Sequence, residues 1–319
     1  MKKRFFALMT AALCLLAACG QTAPEQTGED TLTIVATTYP IYLFANGLTE
    51  GVEGVKVERL DTSSTGCLHD YNLTVNDMKK LERADVIALN GAGLEEFMED
   101  ALHTSSAQII DCSEGVELLE NRSHHHDEHD HSHDGHDHGH YDPHYWMDVG
   151  NARRMVENLR GALADLLPEQ AGHFDERAAG LDTLLHTTDL FLREDMLRGR
   201  EEEIAGLITF HDGFQYFAHA YGLPLLESIE EEAGSEASAR EIVEITALVK
   251  EHDIPVVFTE VNGSDATANA IARETGCAVA QLSMLMAPRD GDIKDYVNGM
   301  IGNMDAVLKG FSKTAEETA

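Results

Sequence analysis

From Glu169 to Leu197 the sequence sustains one helical pattern, with Phe174, Ala178, Leu181, Leu185 and Leu192 marking its apolar face. At about 1.5 Å per residue such a helix is roughly 40 Å long, enough to run the height of a two-domain protein. The same rhythm appears on both sides of it. Before it, strand-like Leu32 to Ala36, Val55 to Leu60, Ala84 to Leu89 and Gln108 to Asp111 alternate with helical stretches. Those stretches end near Leu48, run from Val75 to Glu82 behind a Thr74 cap, and run from Leu94 to Leu102. After Gly199 and the acids Glu201 to Glu203, strands are expected at Ile204 to Phe210, Leu223 to Glu227, Pro255 to Phe258 and Ala278 to Leu282. Helices are expected from Phe214 to Tyr221, from a Ser238/Glu241 capping box to His252, from Asp265 to Gly276, and from Ile293 to Leu308. Strands alternating with helices predict an α/β fold with parallel sheets, and the second half repeats the first.

One stretch fits neither pattern. His124, His125, His126, His129, His131, His133, His136, His138 and His140 are interleaved with Asp127, Asp130, Asp134 and Asp137. No core can be built from such a run, so it is expected to be a solvated loop. Imidazole is the commonest side-chain ligand for zinc, copper and nickel, and carboxylates add negative charge. The tract therefore reads as an auxiliary loop that gathers zinc weakly; an expression tag would sit at a terminus and lack the interleaved Asp. It leads into Asp142, Pro143, His144, Tyr145 and Trp146, where a single histidine sits beside a Pro-fixed turn and the only Trp.

The formal net charge is −34. Such a surface repels nucleic acid and attracts cations. Lys2, Lys3 and Arg4 precede an apolar run from Phe5 to Ala18 that is short for a membrane span. With Leu16, Ala17, Ala18 and Cys19 at its end, the run resembles a bacterial lipoprotein signal. That resemblance implies cleavage after residue 18, lipidation of Cys19, and a flexible tether over 19–31. Three cysteines would then remain, Cys67, Cys112 and Cys277, leaving at least one thiol unpaired; Cys67 and Cys112 could pair.

His69, His144 and His211 each lie beyond a strand and near the start of a helix. In open α/β sheets, ligands bind outside the carboxyl ends of strands. Two of the three come from the first half and one from the second, so they could converge across a cleft. Three imidazoles at about 2.0–2.1 Å with a fourth ligand make a common zinc arrangement. His103, His173, His186, His219 and His252 read as ordinary histidines, most of them on helix surfaces.

The motifs around these residues are specific. They run from Gly66 through His69, Asp70 and Tyr71 to Ala84–Gly91, then Asp142–Trp146, Phe210–Phe214 with Tyr221–Leu223, and Val257–Glu260. In this order, across nearly the whole chain, they resemble the zinc/manganese ABC-importer substrate-binding lipoprotein family, zinc branch, whose members often carry a His-rich loop here. The resemblance implies two Rossmann-like lobes joined by a single long helix, with the metal cleft between them. It divides the chain into a signal (1–18), tether (19–31), first lobe (32–166, with the loop 124–140), connecting helix (167–199) and second lobe (200–319). It places His69, His144 and His211 on the first three ligand positions. Where the family carries a carboxylate after the last strand, this chain has Ser283, so the fourth ligand is expected to be water, Glu260 or Ser283. Three imidazoles favour zinc, with manganese the poorer fit.

The implied function is capture of Zn(II) outside the cytoplasm for an importer whose permease and ATPase are separate chains. The protein is expected to be a monomer and not an enzyme, lipid-anchored to the outer face of the cytoplasmic membrane or periplasmic. A secreted zinc hydrolase is the alternative, since three His plus water also describes a catalytic site. No His-Glu-x-x-His stretch is present. A third reading is a cell-surface adhesin stiffened by metal.

Overall fold

Branched apolar residues at alternating positions build the first sheet. In the computed structural model, which describes residues 31–62, 71–122, 140–230, 238–261 and 263–317, β1 (Leu32–Ala36), β2 (Val55–Arg59), β3 (Val86–Leu89) and β4 (Gln108–Asp111) lie in the order β2-β1-β3-β4. All three pairings are parallel. Parallel neighbours cannot be joined by a tight hairpin, so helices make the crossovers. Among them are α1 (Tyr39–Thr49), α2 (Val75–Glu82) and α3 (Glu99–Thr104). Thr74 and Asp77 form a reciprocal capping box at the start of α2.

Two helices fill the middle of the chain, α4 (Val149–Leu166) and α5 (Ala171–Leu190). Pro168 forces a short 3-10 turn between them. They are tied by Arg153–Asp182 at 2.6 Å and Arg160–Asp175 at 3.0 Å. These pairs are solvated and contribute at most about 1 kcal/mol each, so apolar packing does most of the holding. The expected long helix continues past Leu190, but its last stretch, Phe191–Leu197, widens to π-helical spacing.

The second sheet contains β5 (Leu207–His211), β6 (Leu225–Glu230), β7 (Val256–Glu260) and β8 (Ala278–Leu282), again all parallel, in the order β6-β5-β7-β8. The order matches that of the first sheet position for position. β6 begins two residues later than its apolar pattern suggests, because Pro224 cannot donate to the ladder while its carbonyl accepts from Leu207 N at 2.7 Å. The remaining helices are α6 (Gln215–Tyr221), α7 (Ala239–Glu251), α8 (Ala266–Thr275) and α9 (Lys294–Glu317). Asp265 stands at the N-cap of α8, but its carboxylate accepts from the Thr259 hydroxyl at 2.7 Å instead of capping the helix.

Period-two alternation decides which core each strand residue enters. Ile34, Ala36, Val86 and Ala88 face one core, while Val35 and Ile87 face a smaller cluster beneath α2 and α3. In the second sheet, Val256 and Phe258 join the same large core, while Ile208, Phe210 and Val257 face a local cluster. The two sheets therefore share one core, and Leu32–Ala319 forms one compact unit. Further ties cross between the halves. Tyr39 on α1 donates its hydroxyl proton to the Asp295 carboxylate and accepts from Arg289 N and Gly291 N at 3.0 and 3.1 Å. Asn46 Nδ2 donates to Gly291 O at 3.1 Å. No described helix is long and apolar enough to cross a membrane.

Candidate metal centre

His211 is the last residue of β5 and is buried. The strand ladder sets its position. Thr209 pairs with Phe258, so His211 and Glu260, each two residues further along, are the last residues of neighbouring strands. Glu260 is buried as well, with 4% of its surface exposed. Both stand at the carboxyl end of the second sheet, where α/β sheets bind ligands. Gly213 permits the close packing there. A Cβ at this position would lie 2.4 Å from Met284 Cε and 2.8 Å from His211 Cδ2.

His144 reaches the same place from a loop. Asp142 Oδ1 accepts from the backbone N of His144 at 2.8 Å and stands 2.8 Å from its Nδ1. The first contact is an Asx turn, which the spacing of an Asp two residues before a histidine allows. The second places the ring proton on Nδ1 and leaves the Nε2 lone pair outward, the tautomer a metal ligand needs. His144 Nε2 then faces His211 Nε2 at 3.3 Å. The two rings stand nearly perpendicular, at 87°. Trp146 packs edge-on to His144, and its Nε1 donates to Met284 O at 2.9 Å. Tyr296 OH donates to Trp146 O at 2.7 Å, and Tyr216 OH to Asp142 O at 2.8 Å. All three of these partners come from the second half of the molecule.

A second network lies behind this loop. Asn90, directly after β3, donates through Nδ2 to Pro143 O at 3.0 Å and accepts from the Tyr145 hydroxyl at its backbone oxygen. Glu95 holds Asn90 in turn. Its Oε1 accepts from Asn90 N at 2.7 Å and Thr37 Oγ1 at 2.6 Å, and its Oε2 accepts from Gly91 N at 3.0 Å. Gly91 has φ +76°, and a Cβ on it would meet Asp111 Oδ1 at 2.0 Å, so the turn requires glycine. Burial pushes the Glu95 carboxyl up to about 7, outweighing the three donors that favour its charged form.

His69, Cys67, Cys19 and the tract from His124 to His138 lie outside the described residues. His140 is described and exposed, 3.7 Å from Glu120. An antiparallel bridge between Glu120 and Tyr141 pins together the two ends of the tract. Cys112 is a free, buried thiol, pushed up by burial and by the charges of Glu95 and Asp111. Ser283 Oγ accepts from Leu285 N at 3.1 Å, and its backbone is paired on both sides with the Asn303 amide. Among the described residues, no group of three or more His, Cys, Asp or Glu is arranged to hold a metal ion. The structure brings together His144 and His211, and Glu260 ends the strand next to that of His211. Sequence reasoning did not reach the side-chain roles of Asp142, Asn90 and Glu95. The Asp-x-His spacing was a usable signal for the first; the other two act across distant segments.

Fold and site first define a class, a two-lobed α/β protein that presents imidazoles from its two halves to one another. The chain belongs to the ZnuA family, described as zinc-uptake complex component A, periplasmic, which matches residues 34–310. It is 28% identical over 324 residues to the zinc-binding lipoprotein AdcA of Streptococcus pneumoniae, an alignment covering 99% of this chain and 62% of that protein. This chain therefore spans less than two thirds of the length of that relative. It is 27% identical over 318 residues to the high-affinity zinc uptake system protein ZnuA of Bacillus subtilis, covering 96% of this chain and 98% of that protein. Its fold matches the periplasmic zinc-binding protein TroA from Treponema pallidum with a TM-score of 0.74 at 23% identity, covering 88% of this chain and 99% of the other.

Proposed function

We propose that the protein captures Zn(II) outside the cytoplasm and delivers it to an ABC-type importer whose permease and ATPase are separate chains. One observation carries this reading. Two nitrogens bound at about 2.0–2.1 Å to a single tetrahedral zinc stand about 3.3 Å apart. His144 Nε2 and His211 Nε2 stand 3.3 Å apart, with Asp142 on the far nitrogen of one ring. His69 supplies the third imidazole. Glu260 is the better fourth ligand, because zinc takes carboxylates and a neutral serine hydroxyl binds it poorly. An anionic fourth ligand also offsets part of the ion's charge, which three neutral imidazoles leave whole. Three nitrogens favour zinc over manganese. The protein binds and releases its cargo without catalysing a reaction.

The tract gathers zinc weakly beside the cleft, and Cys19 carries a lipid anchor that keeps the protein, as a monomer, at the outer face of the cytoplasmic membrane. Family membership and the names of the relatives support zinc uptake, and one relative is named a lipoprotein.

Titration against a zinc-buffering chelator tests it. His69→Ala, His144→Ala and His211→Ala should each abolish the tight phase, and a Gly/Ser linker in place of 124–140 should remove only weak equivalents. Glu260→Gln should weaken zinc strongly, whereas Ser283→Asp should add little. Parent-like affinity in His144→Ala would overturn the site. Hydrolase activity of the zinc-loaded protein, lost in the same variants, would favour an enzyme instead.

A further inference from the structure

His144 is flanked by two residues that are both fastened to Asn90. Pro143 O accepts from the Asn90 amide at 3.0 Å, and the Tyr145 hydroxyl donates to Asn90 O. Asn90 is completely buried, so these bonds have no competition from water. Its own place is set by Glu95, which takes Asn90 N, Gly91 N and the Thr37 hydroxyl on its two oxygens. Thr37 directly follows β1, Asn90 directly follows β3, and Pro143 belongs to the loop before α4. One carboxylate therefore ties two strand ends of the first sheet, and Asn90 passes that tie to both sides of His144.

We infer that Glu95 and Asn90 are positioning residues for zinc capture, fixing the backbone on either side of His144 so that its Nε2 meets the ion in one place. The inference rests on the reading that His144 holds the ion. Neither residue touches the ion; both act through the loop. Other buried contacts to this loop come from Tyr216 and Tyr296 of the second half, which grip Asp142 O and Trp146 O. Glu95 and Asn90 make the matching grip from the first half. Their loss leaves the loop to Tyr216, Tyr296 and the Leu119 carbonyl, which accepts from Asp142 N at 2.9 Å.

The chemistry of the substitution sharpens this. In Glu95→Gln one oxygen becomes an NH2 group. An amide oxygen can still accept from Asn90 N and Thr37 Oγ1, but the NH2 group then meets the N–H of Gly91, donor against donor. The turn at Asn90 and Gly91 has to shift, and Pro143 with it. In Asn90→Asp, the side chain keeps its shape and loses the donor that Pro143 O requires.

The test compares four variants of the purified protein by chelator-buffered zinc titration, by the visible spectrum of the Co(II)-loaded form, and by urea unfolding without metal. Glu95→Gln and Asn90→Asp should each weaken zinc about tenfold or more and shift the cobalt bands, since supporting groups behind metal ligands typically matter by about 10–100-fold. Ile87→Ala, on the opposite face of β3, should lower stability and leave zinc affinity and the cobalt spectrum unchanged. Parent-like zinc affinity and cobalt spectrum in Glu95→Gln would overturn the inference while leaving the site intact. An equal zinc loss in Ile87→Ala would overturn it too, by showing that affinity follows stability. His144→Ala separates the two levels: tight zinc retained there removes the site itself, and this inference with it.

Discussion

His211 leaves the end of a buried parallel strand, whereas His144 sits on a loop that no ladder supports. The strand-borne histidine inherits its position from the sheet, and Gly213 leaves room beside its ring. The loop-borne histidine is placed by named side chains: Asp142 on its ring and backbone, Asn90 and Glu95 behind it, Tyr216 and Tyr296 from the other half. A position set by a ladder is lost through steric change. One set by side-chain hydrogen bonds is lost through single polar substitutions that leave the fold standing.

The largest test removes what the two sides share. Trp146 packs beside His144 and donates to Met284 O next to Ser283. Trp146→Ala should cost about 3–5 kcal/mol in urea unfolding, as full truncation of a buried aromatic does. A loss below about 1 kcal/mol would mean that Trp146 is a minor tie among those that join the two halves.

Next comes the pH response of the loop side. Glu95, facing Asp111, Cys112 and Tyr145, is pushed from the usual 4.5 to about 7 in the fold. A carboxyl raised on folding stabilises most when protonated in both states. Its contribution is full below 4.5 and is lost as pH rises through about 7. Relative to Glu95→Gln, the parent should therefore lose stability between pH 5 and pH 8, by an amount on the order of 3 kcal/mol. Urea midpoints at the two pH values measure it, and a gap that widened with pH would reverse the sign.

Asp142→Asn and Gly213→Ala set the two modes of placement against each other. The first should weaken zinc about 10–100-fold and leave unfolding nearly unchanged. The second should lower both, with overpacking costing about 1–3 kcal/mol. If Gly213→Ala weakened only zinc, the strand side would be as independent of the fold as the loop side. The smallest effect compares the lobes away from the site. Ser238→Ala removes a solvated cap and should cost about 1 kcal/mol. Thr74→Ala should cost more, because Thr74 also donates to buried Asp77, which Tyr71 shares at 2.6 Å.

The elements were legible because local patterns specify them. Period-two apolar runs, two capping boxes and the strand–helix alternation were all visible, and the observed strands lie within a few residues of those runs. The differences fell at the ends of elements. Asp265 gave its carboxylate to Thr259 rather than to its own helix, and the end of the long helix widened where periodicity alone suggested a regular one. His144 and His211 were identifiable as chemistry-bearing residues, but their separation was not.

By itself the sequence determined that the chain makes two similar parallel sheets around a long helical segment, and which histidines stand at strand ends and turns. Hydrophobic period and cap chemistry act over a few residues, so they can be read along the chain. Only the tertiary structure decided that both sheets share one core, that Asp142 turns one imidazole to face another, and that Glu95 and Asn90 stand behind it. The contacts that decide where these local pairs stand join groups more than fifty residues apart, His144 to His211, Asn90 to Pro143 and Glu95 to Thr37, and such meetings are set by packing, which no local pattern encodes.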